Sequence, residues 1–305
     1  MTIRFSATPA TKPTAWLPAL ALLVMVPAAD AGTPINERAA ADPTGKVEVS
    51  NTAGSVVVTT WPRNEVEVTG SLGTGAEGLE FSSVDKLTRV KVNLPERSSR
   101  VEGTSLIIKL PAGSSLAVNT VSADVSAKGV RGQQRLQSVS GDIHTEAAAE
   151  DVECKTVSGH VTVAGTGQRG LLTVTTVSGD ATVTSVAGEV NGNTVSGNFT
   201  ITMGDTSRSR LRSTSGDLGL KGHVAQDARL DFESISGDVR LDLQGPVGAE
   251  FEMSSFNGQI RNCFGPKATR TSEYAPGSEL RFREGQGTAR VRIKTLNGDI
   301  SVCNK

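Results

Sequence analysis

Nine positions share one setting in this chain: Asp124, Asp142, His160, Asp180, Asn198, Asp217, Asp238, Gln259 and Asp299. Each follows a glycine, except that Ala123 precedes Asp124. Carboxylates stacked at strand spacing repel one another unless a cation or solvent intervenes, so calcium is the first chemistry to weigh. Calcium-binding β-rolls use a short Gly-rich repeat whose backbone carbonyls also face the ion. Here each repeat offers a single motif glycine, and His160, Asn198 and Gln259 interrupt the acidic column. The pattern favours solvated turn residues over a metal site.

The residue before the glycine is equally regular: Ser122, Ser140, Ser158, Ser178, Ser196, Ser215 and Ser236. A nucleophilic serine needs a base, an orienting acid and a strained elbow, and no G-x-S-x-G stretch is present. A catalytic residue is singular, whereas a repeated one is architectural, so a hydroxyl ladder along the stack is expected. His144, His160 and His223 have no zinc-ligand spacing among themselves or with the three cysteines, and are read as surface polar residues. Thr162, Thr182 and Thr200 align on an outward column, too short a run for an ice-binding face. A polysaccharide lyase or hydrolase would need carboxylates or basic residues converging on a cleft, and only residues 264–278 offer a long wall. The expectation is a non-enzymatic protein with no cofactor.

What holds these residues is a repeat. With the motif glycine as marker (Ala123, Gly141, Gly159, Gly179, Gly197, Gly216, Gly237, Gly258, Gly298), the intervals are 18, 18, 20, 18, 19, 21, 21 and 40 residues. Self-similarity at that period signals a stacked array. Three apolar columns accompany the marker. Five residues before it stand Val118, Leu136, Cys154, Val174, Gly192, Leu211, Phe232, Met253 and Ile293. Two before it stand Val121, Val139, Val157, Val177, Val195, Thr214, Ile235, Phe256 and Leu296. Two after it stand Val125, Ile143, Val161, Ala181, Phe199, Leu218, Val239, Ile260 and Ile300. Period-two alternation makes short strands with one buried face, and β-branched residues and glycine argue against helix. One coil of about 19 residues buries nothing alone, but stacked coils align the columns into one core. The fold expected is all-β: a single-domain parallel β-solenoid of about nine coils of 18–21 residues, with all three columns buried and the glycine at a crowded corner. Its handedness stays open.

Residues 1–31 read as a signal peptide: Arg4 and Lys12, a short apolar run broken by Pro18 and Pro27, then Ala29-Asp30-Ala31, with cleavage between Ala31 and Gly32. No later segment is apolar enough to cross a membrane. Residues 32–45 read as a disordered linker, 46–115 as an irregular N-terminal β cap, and 116–305 as repeats ending in a loop and a hairpin around Glu284–Gly287. The net charge of −1 becomes −2 once residues 1–31 leave, which gives no reason to expect nucleic acid or an anionic membrane.

The cysteines follow from the template. Cys154 sits in a core column and reads as a buried free thiol. Cys263 and Cys303 each lie five residues after a marker glycine. If the 40 residues between those glycines form one expanded coil, the two stack within disulfide range, which an oxidising compartment permits. Such a bridge would pin the last strand and close the C-terminal end of the stack.

The serial "TVSGD" coils, "NTAGSV" with "WPRNEVEVTG" near the start, and "SSFNGQIRNCFGP" with "IKTLNGDISVC" at the end resemble the bacterial "putative adhesin" β-strand-repeat family, exported β-solenoids of unknown function. The resemblance spans roughly residues 46–303 and implies an envelope location and a β-solenoid, with no catalytic or ligand residues. The function expected is a periplasmic or cell-surface binding scaffold for an unknown protein or glycan ligand. The alternatives are end-to-end self-association into a structural assembly and, third, a polysaccharide-active enzyme.

Overall fold

The computed structural model describes residues 32–95, 102–272 and 276–304. Residues 1–31 and the cleavage position expected after Ala31 lie outside it. The N-terminal end comprises β1 (Thr33–Ala40), β2 (Lys46–Trp61), β3 (Glu65–Leu72), β4 (Gly78–Val84), β5 (Leu87–Asn93) and β6 (Thr104–Pro111). The regular stack runs through β7 (Ser115–Ala127), β8 (Gln134–Ser138), β9 (Ile143–Ala147), β10 (Val152–Thr156), β11 (Val161–Gly165), β12 (Arg169–Thr176) and β13 (Ala181–Thr194). It continues with β14 (Phe199–Ser213), β15 (Leu218–Gly222), β16 (Arg229–Ser234) and β17 (Val239–Leu243). The C-terminal end holds β18 (Ala249–Ser255), β19 (Ile260–Asn262), β20 (Thr269–Arg270), β21 (Ser278–Glu284), β22 (Ala289–Thr295) and β23 (Ile300–Asn304).

Each coil contributes two short strands, one to each of two parallel faces. The first face carries β8, β10, β12, the second half of β13, the second half of β14 and β16. The second carries β9, β11, the first halves of β13 and β14, β15 and β17. Between them lies a core of Val, Leu, Ile and Phe, with Phe199, Phe232 and Phe251 fully buried. This is a β-solenoid. The columns five before and two after the glycine are buried, Ile260 in part. Gly192, the gap in the first column, is filled from the facing strand: a Cβ there would sit 2.5 Å from the Phe199 ring.

The column two before the glycine is not buried. Val121, Val139, Val157, Val177, Val195, Ile235, Phe256 and Leu296 are 39% to 49% exposed. The buried position at the corner is one residue earlier, where Thr120, Ser138, Thr156, Thr176, Thr194, Ser213, Ser234, Ser255 and Thr295 stand. The strand keeps its inward parity through that hydroxyl, and the chain turns only afterwards. The next two residues are thereby swung to the outside of the corner.

Both ends depart from chain order. At the N-terminus β2 is a full coil, paired in parallel with β7 on one side and with β5 and β6 on the other. The region from residue 46 is thus more regular than the expected cap. Antiparallel β4 covers β5, β3 covers β6, and β1 covers β3 over its whole length. Residues 33–40, expected to be disordered, are therefore a strand: pairing with β3 satisfies their backbone although Ile35 is their sole core side chain. At the C-terminus β22 and β23 insert between the coil of β16 and β17 and that of β18 and β19. The expected hairpin around Glu284–Gly287 is absent, because β21 pairs antiparallel with one edge of β18 while β22 pairs with its other edge. The connection crosses over the start of β18, where Gly285 takes φ 63° and a Cβ on Gly287 would overlap the Gly248 carbonyl.

Candidate functional site

The aspartate column is spent on the backbone. Asp124 Oδ1 accepts the Asp142 N–H at 2.9 Å, and Asp142 Oδ1 accepts that of His160 at 2.7 Å. His160 Nδ1 accepts from Asp180 at 3.3 Å, Asp180 from Asn198, Asn198 from Asp217 at 3.1 Å, and Asp217 from Asp238. The ladder then passes from Asp238 to Asp299 and from Asp299 to Gln259, following the stack instead of the chain. The interruptions now have a reason. Asn and His also place an acceptor one bond past Cγ, and Gln259 ends the ladder with no further coil to serve. Among the described residues no group of three or more His, Cys, Asp and Glu is placed to hold a metal ion.

The motif glycine is required by close approach. A Cβ on Gly141, Gly159, Gly179, Gly197, Gly216, Gly237 or Gly298 would overlap the carbonyl oxygen of the marker residue one coil below. Its N–H is taken by the buried hydroxyl three residues earlier, as in Gly159 to Thr156 Oγ1 at 3.0 Å and Gly216 to Ser213 Oγ at 2.7 Å. The expected serine ladder lies elsewhere. The serines before the glycine are exposed, and it is chiefly their N–H groups that bond the coil below, Ser158 to the Val139 carbonyl at 2.9 Å for example; the hydroxyls of Ser122 and Ser140 add bonds to the Thr52 and Val121 carbonyls at 3.2 Å. His144 points outward in register with Thr162, and His223 Nδ1 lies 3.4 Å from the Gln244 carbonyl. Cys154 is buried, and desolvation, with Glu153 adding to it, pushes its thiol up to about 12. Cys263 and Cys303 are joined, their Cα atoms 4.8 Å apart in adjacent coils. The bridge ties the inserted last strand to the end coil, so the strand it pins lies inside the stack and not at its end.

Two outward surfaces stand out among the described residues, and periodicity alone did not reveal them. One is the apolar edge just described. In stacking order its side chains run from five valines through Thr214 to Ile235, Leu296 and Phe256. The other lies on the first face near the C-terminal end: a cavity of about 960 Å³ lined by seven arginines and three carboxylates. Register builds it. Arg208, Arg229 and Arg290 are direct neighbours on β14, β16 and β22, followed by Glu250 and Arg283. One row over stand Arg210, Asp231, Arg292, Glu252 and Arg281. Glu250 is shared by Arg283 at 3.9 Å and Arg290 at 4.0 Å, and Glu252 by Arg281 at 3.3 Å and Arg292 at 3.9 Å. Arg208 leans to Glu189 at 3.5 Å, outside the cavity. Arg229, between two other arginines, has no ion pair among the described residues. Two such cations one strand apart repel by on the order of 1 kcal/mol in water. The sequence carries a trace of this in the alternating arginines of "SRSRLRS", "ELRFRE" and "ARVRIK". Their convergence depends on the out-of-order insertion of β22.

Stacked two-strand coils with outward-facing side chains on two regular faces define a β-solenoid scaffold. The chain belongs to the Toastrack DUF4097 family, a domain of unknown function, whose model matches residues 46–303. Solved structures similar to it include a putative adhesin from Parabacteroides distasonis, 12% identical, TM-score 0.46, covering 89% of this chain and 98% of that one. Another is a putative adhesin from Bacteroides fragilis, 9% identical, TM-score 0.43, covering 90% and 97%. A putative cell adhesion protein from Clostridium sporogenes is 10% identical, TM-score 0.22, covering 90% and 100%. No curated protein matches the chain. No helix among the described residues is long and apolar enough to cross a membrane.

Proposed function

We propose that the protein is an exported binding scaffold of the cell envelope that holds a ligand on its outer faces without making or breaking bonds. One observation carries this reading. The acidic groups that recur in nearly every coil serve as acceptors for the backbone of the next coil. What faces outward to meet a ligand is multivalent: guanidinium groups in register on one face and an apolar edge along the corner of the coils. Such a surface binds by many modest contacts that add along its length. Antiparallel strands β1, β4 and β21 lie over the ends of the stack, so another copy could not continue the parallel coils through them, which favours a discrete scaffold over end-to-end assembly. The test is surface-plasmon binding of the purified protein to isolated envelope fractions, with the flow-through analysed for released fragments. Saturable binding with no fragments is expected. Time-dependent release of glycan or peptide fragments would overturn the reading.

A further inference from the structure

The ligand class can be read from the arginine cavity. We infer that this cavity binds a linear anionic glycan, one carrying a carboxylate or sulfate on its successive sugar rings; the inference rests on the binding reading above.

Sign comes first. Seven guanidinium groups against three carboxylates line one cavity in a chain whose whole formal charge is −1. The excess is local and made only of arginine, whose planar fork matches the two oxygens of a carboxylate or sulfate. Arg229 is the centre of that excess, with Arg208 and Arg290 beside it and no carboxylate of its own. An anion placed there relieves repulsion among three cations and displaces no existing ion pair.

Spacing comes second. Arg208, Arg229 and Arg290 rise from adjacent strands, whose backbones lie about 4.8 Å apart, so they present separated charges along a line to a ligand built the same way. A duplex nucleic acid is a poorer fit, because its charge is denser, about one per 1.7 Å of helix axis. The carboxylates of Asp231, Glu250 and Glu252 among the arginines suit a ligand that alternates anions with hydroxyl donors. Asp231 meets Arg210 through Oδ2 at 3.8 Å, while the solvent-accessible carboxylates of Glu250 and Glu252 offer acceptors that sugar hydroxyls can reach.

The exposed apolar edge is bulkiest on the coils that carry this cavity, where Ile235, Leu296 and Phe256 stand at the corner four residues beyond Asp231, Arg292 and Glu252. The C–H face of a sugar ring packs on such side chains, and neither phosphate nor an acidic side chain offers one.

The test uses the purified protein and fluorescently labelled oligogalacturonate, with neutral dextran of equal length, polyphosphate and poly-glutamate as the other probes. Oligogalacturonate should bind, weaken as salt rises and be displaced by neither dextran nor poly-glutamate. Arg229→Gln should lower its affinity about tenfold and Arg229→Glu further, with the melting temperature no lower than that of wild type. Arg135→Gln, on the same face far along the stack, should leave it unaltered. Failure of oligogalacturonate to bind, equal binding of dextran, or indifference to Arg229→Glu would overturn the inference. Binding of polyphosphate or poly-glutamate alone at Arg229 would overturn the glycan assignment and leave the scaffold reading standing. Cleavage of bound oligogalacturonate would do the reverse.

Discussion

Thr156, Val157, Ser158, Gly159 and His160 divide one corner among five tasks. Thr156 is buried and bonds the Gly159 N–H, Gly159 lets the coil below approach, and His160 accepts from the coil above. Val157 and Ser158 face out. The glycine's role was readable because crowding follows from its parity. The valine's was not, because an apolar residue in perfect register with the core columns is indistinguishable by pattern from a core residue. The distinguishing signal was the unbroken Ser/Thr at the position before it. Val157→Asp should therefore change stability by less than ~1 kcal/mol, whereas Val174→Asp, which strands a charge in the core, should cost more than ~4 kcal/mol. Urea denaturation of the two variants checks this. Equal losses would put the corner register in error.

At the scale of elements, the N-terminal strands are clasped by charge. Glu67 on β3 receives Lys109 of β6 at 3.0 Å and also pairs with Arg38 of β1. Trp61 lies beneath Arg63 and the same two cations, 5.1 to 5.7 Å from them. The hydrogen bond from Lys109, then that from Arg38, lowers the Glu67 carboxyl below its ordinary value. A lowered folded-state value means the stabilisation is fully present above the unfolded value, about 4.3, and is lost as pH falls through the folded one. The melting-temperature gap between wild type and Glu67→Gln should be constant from pH 7 to about 5 and close on further acidification. A gap that widens in acid would contradict the clasp. The strand over residues 33–40 was not legible in the sequence, since "TPINERAA" has one core side chain and draws its order from backbone pairing with β3. Nor was the insertion of β22, because a 40-residue interval fits either stacking order. A cysteine pair decides that directly. Glu233→Cys with Lys294→Cys places thiols on neighbouring strands and should oxidise readily, while Glu233→Cys with Ser254→Cys spans two strands and should not.

Across the whole molecule, the atoms that join coil to coil are not those proposed to meet a ligand. Hydroxyls, glycine carbonyls and aspartates bind coil to coil, and the Cys263–Cys303 bridge ties the inserted strand to the end coil. Closing that loop should contribute roughly 3–4 kcal/mol, so Cys263→Ser should lower unfolding free energy by that order. Seven arginines gather where β14, β16, β18, β21 and β22 meet, and Arg229 among them has no ion pair among the described residues. The most direct measurement sets Asp217→Ala beside Arg229→Gln, with melting temperature and oligogalacturonate affinity read on both. Loss of the Asp217 acceptor should destabilise by about 1 kcal/mol and leave affinity intact. Loss of the Arg229 charge should weaken binding without lowering the melting temperature, since it relieves repulsion from Arg208 and Arg290. If Asp217→Ala abolishes binding in a protein that still melts like wild type, the ladder is itself the ligand site and the division drawn here is wrong.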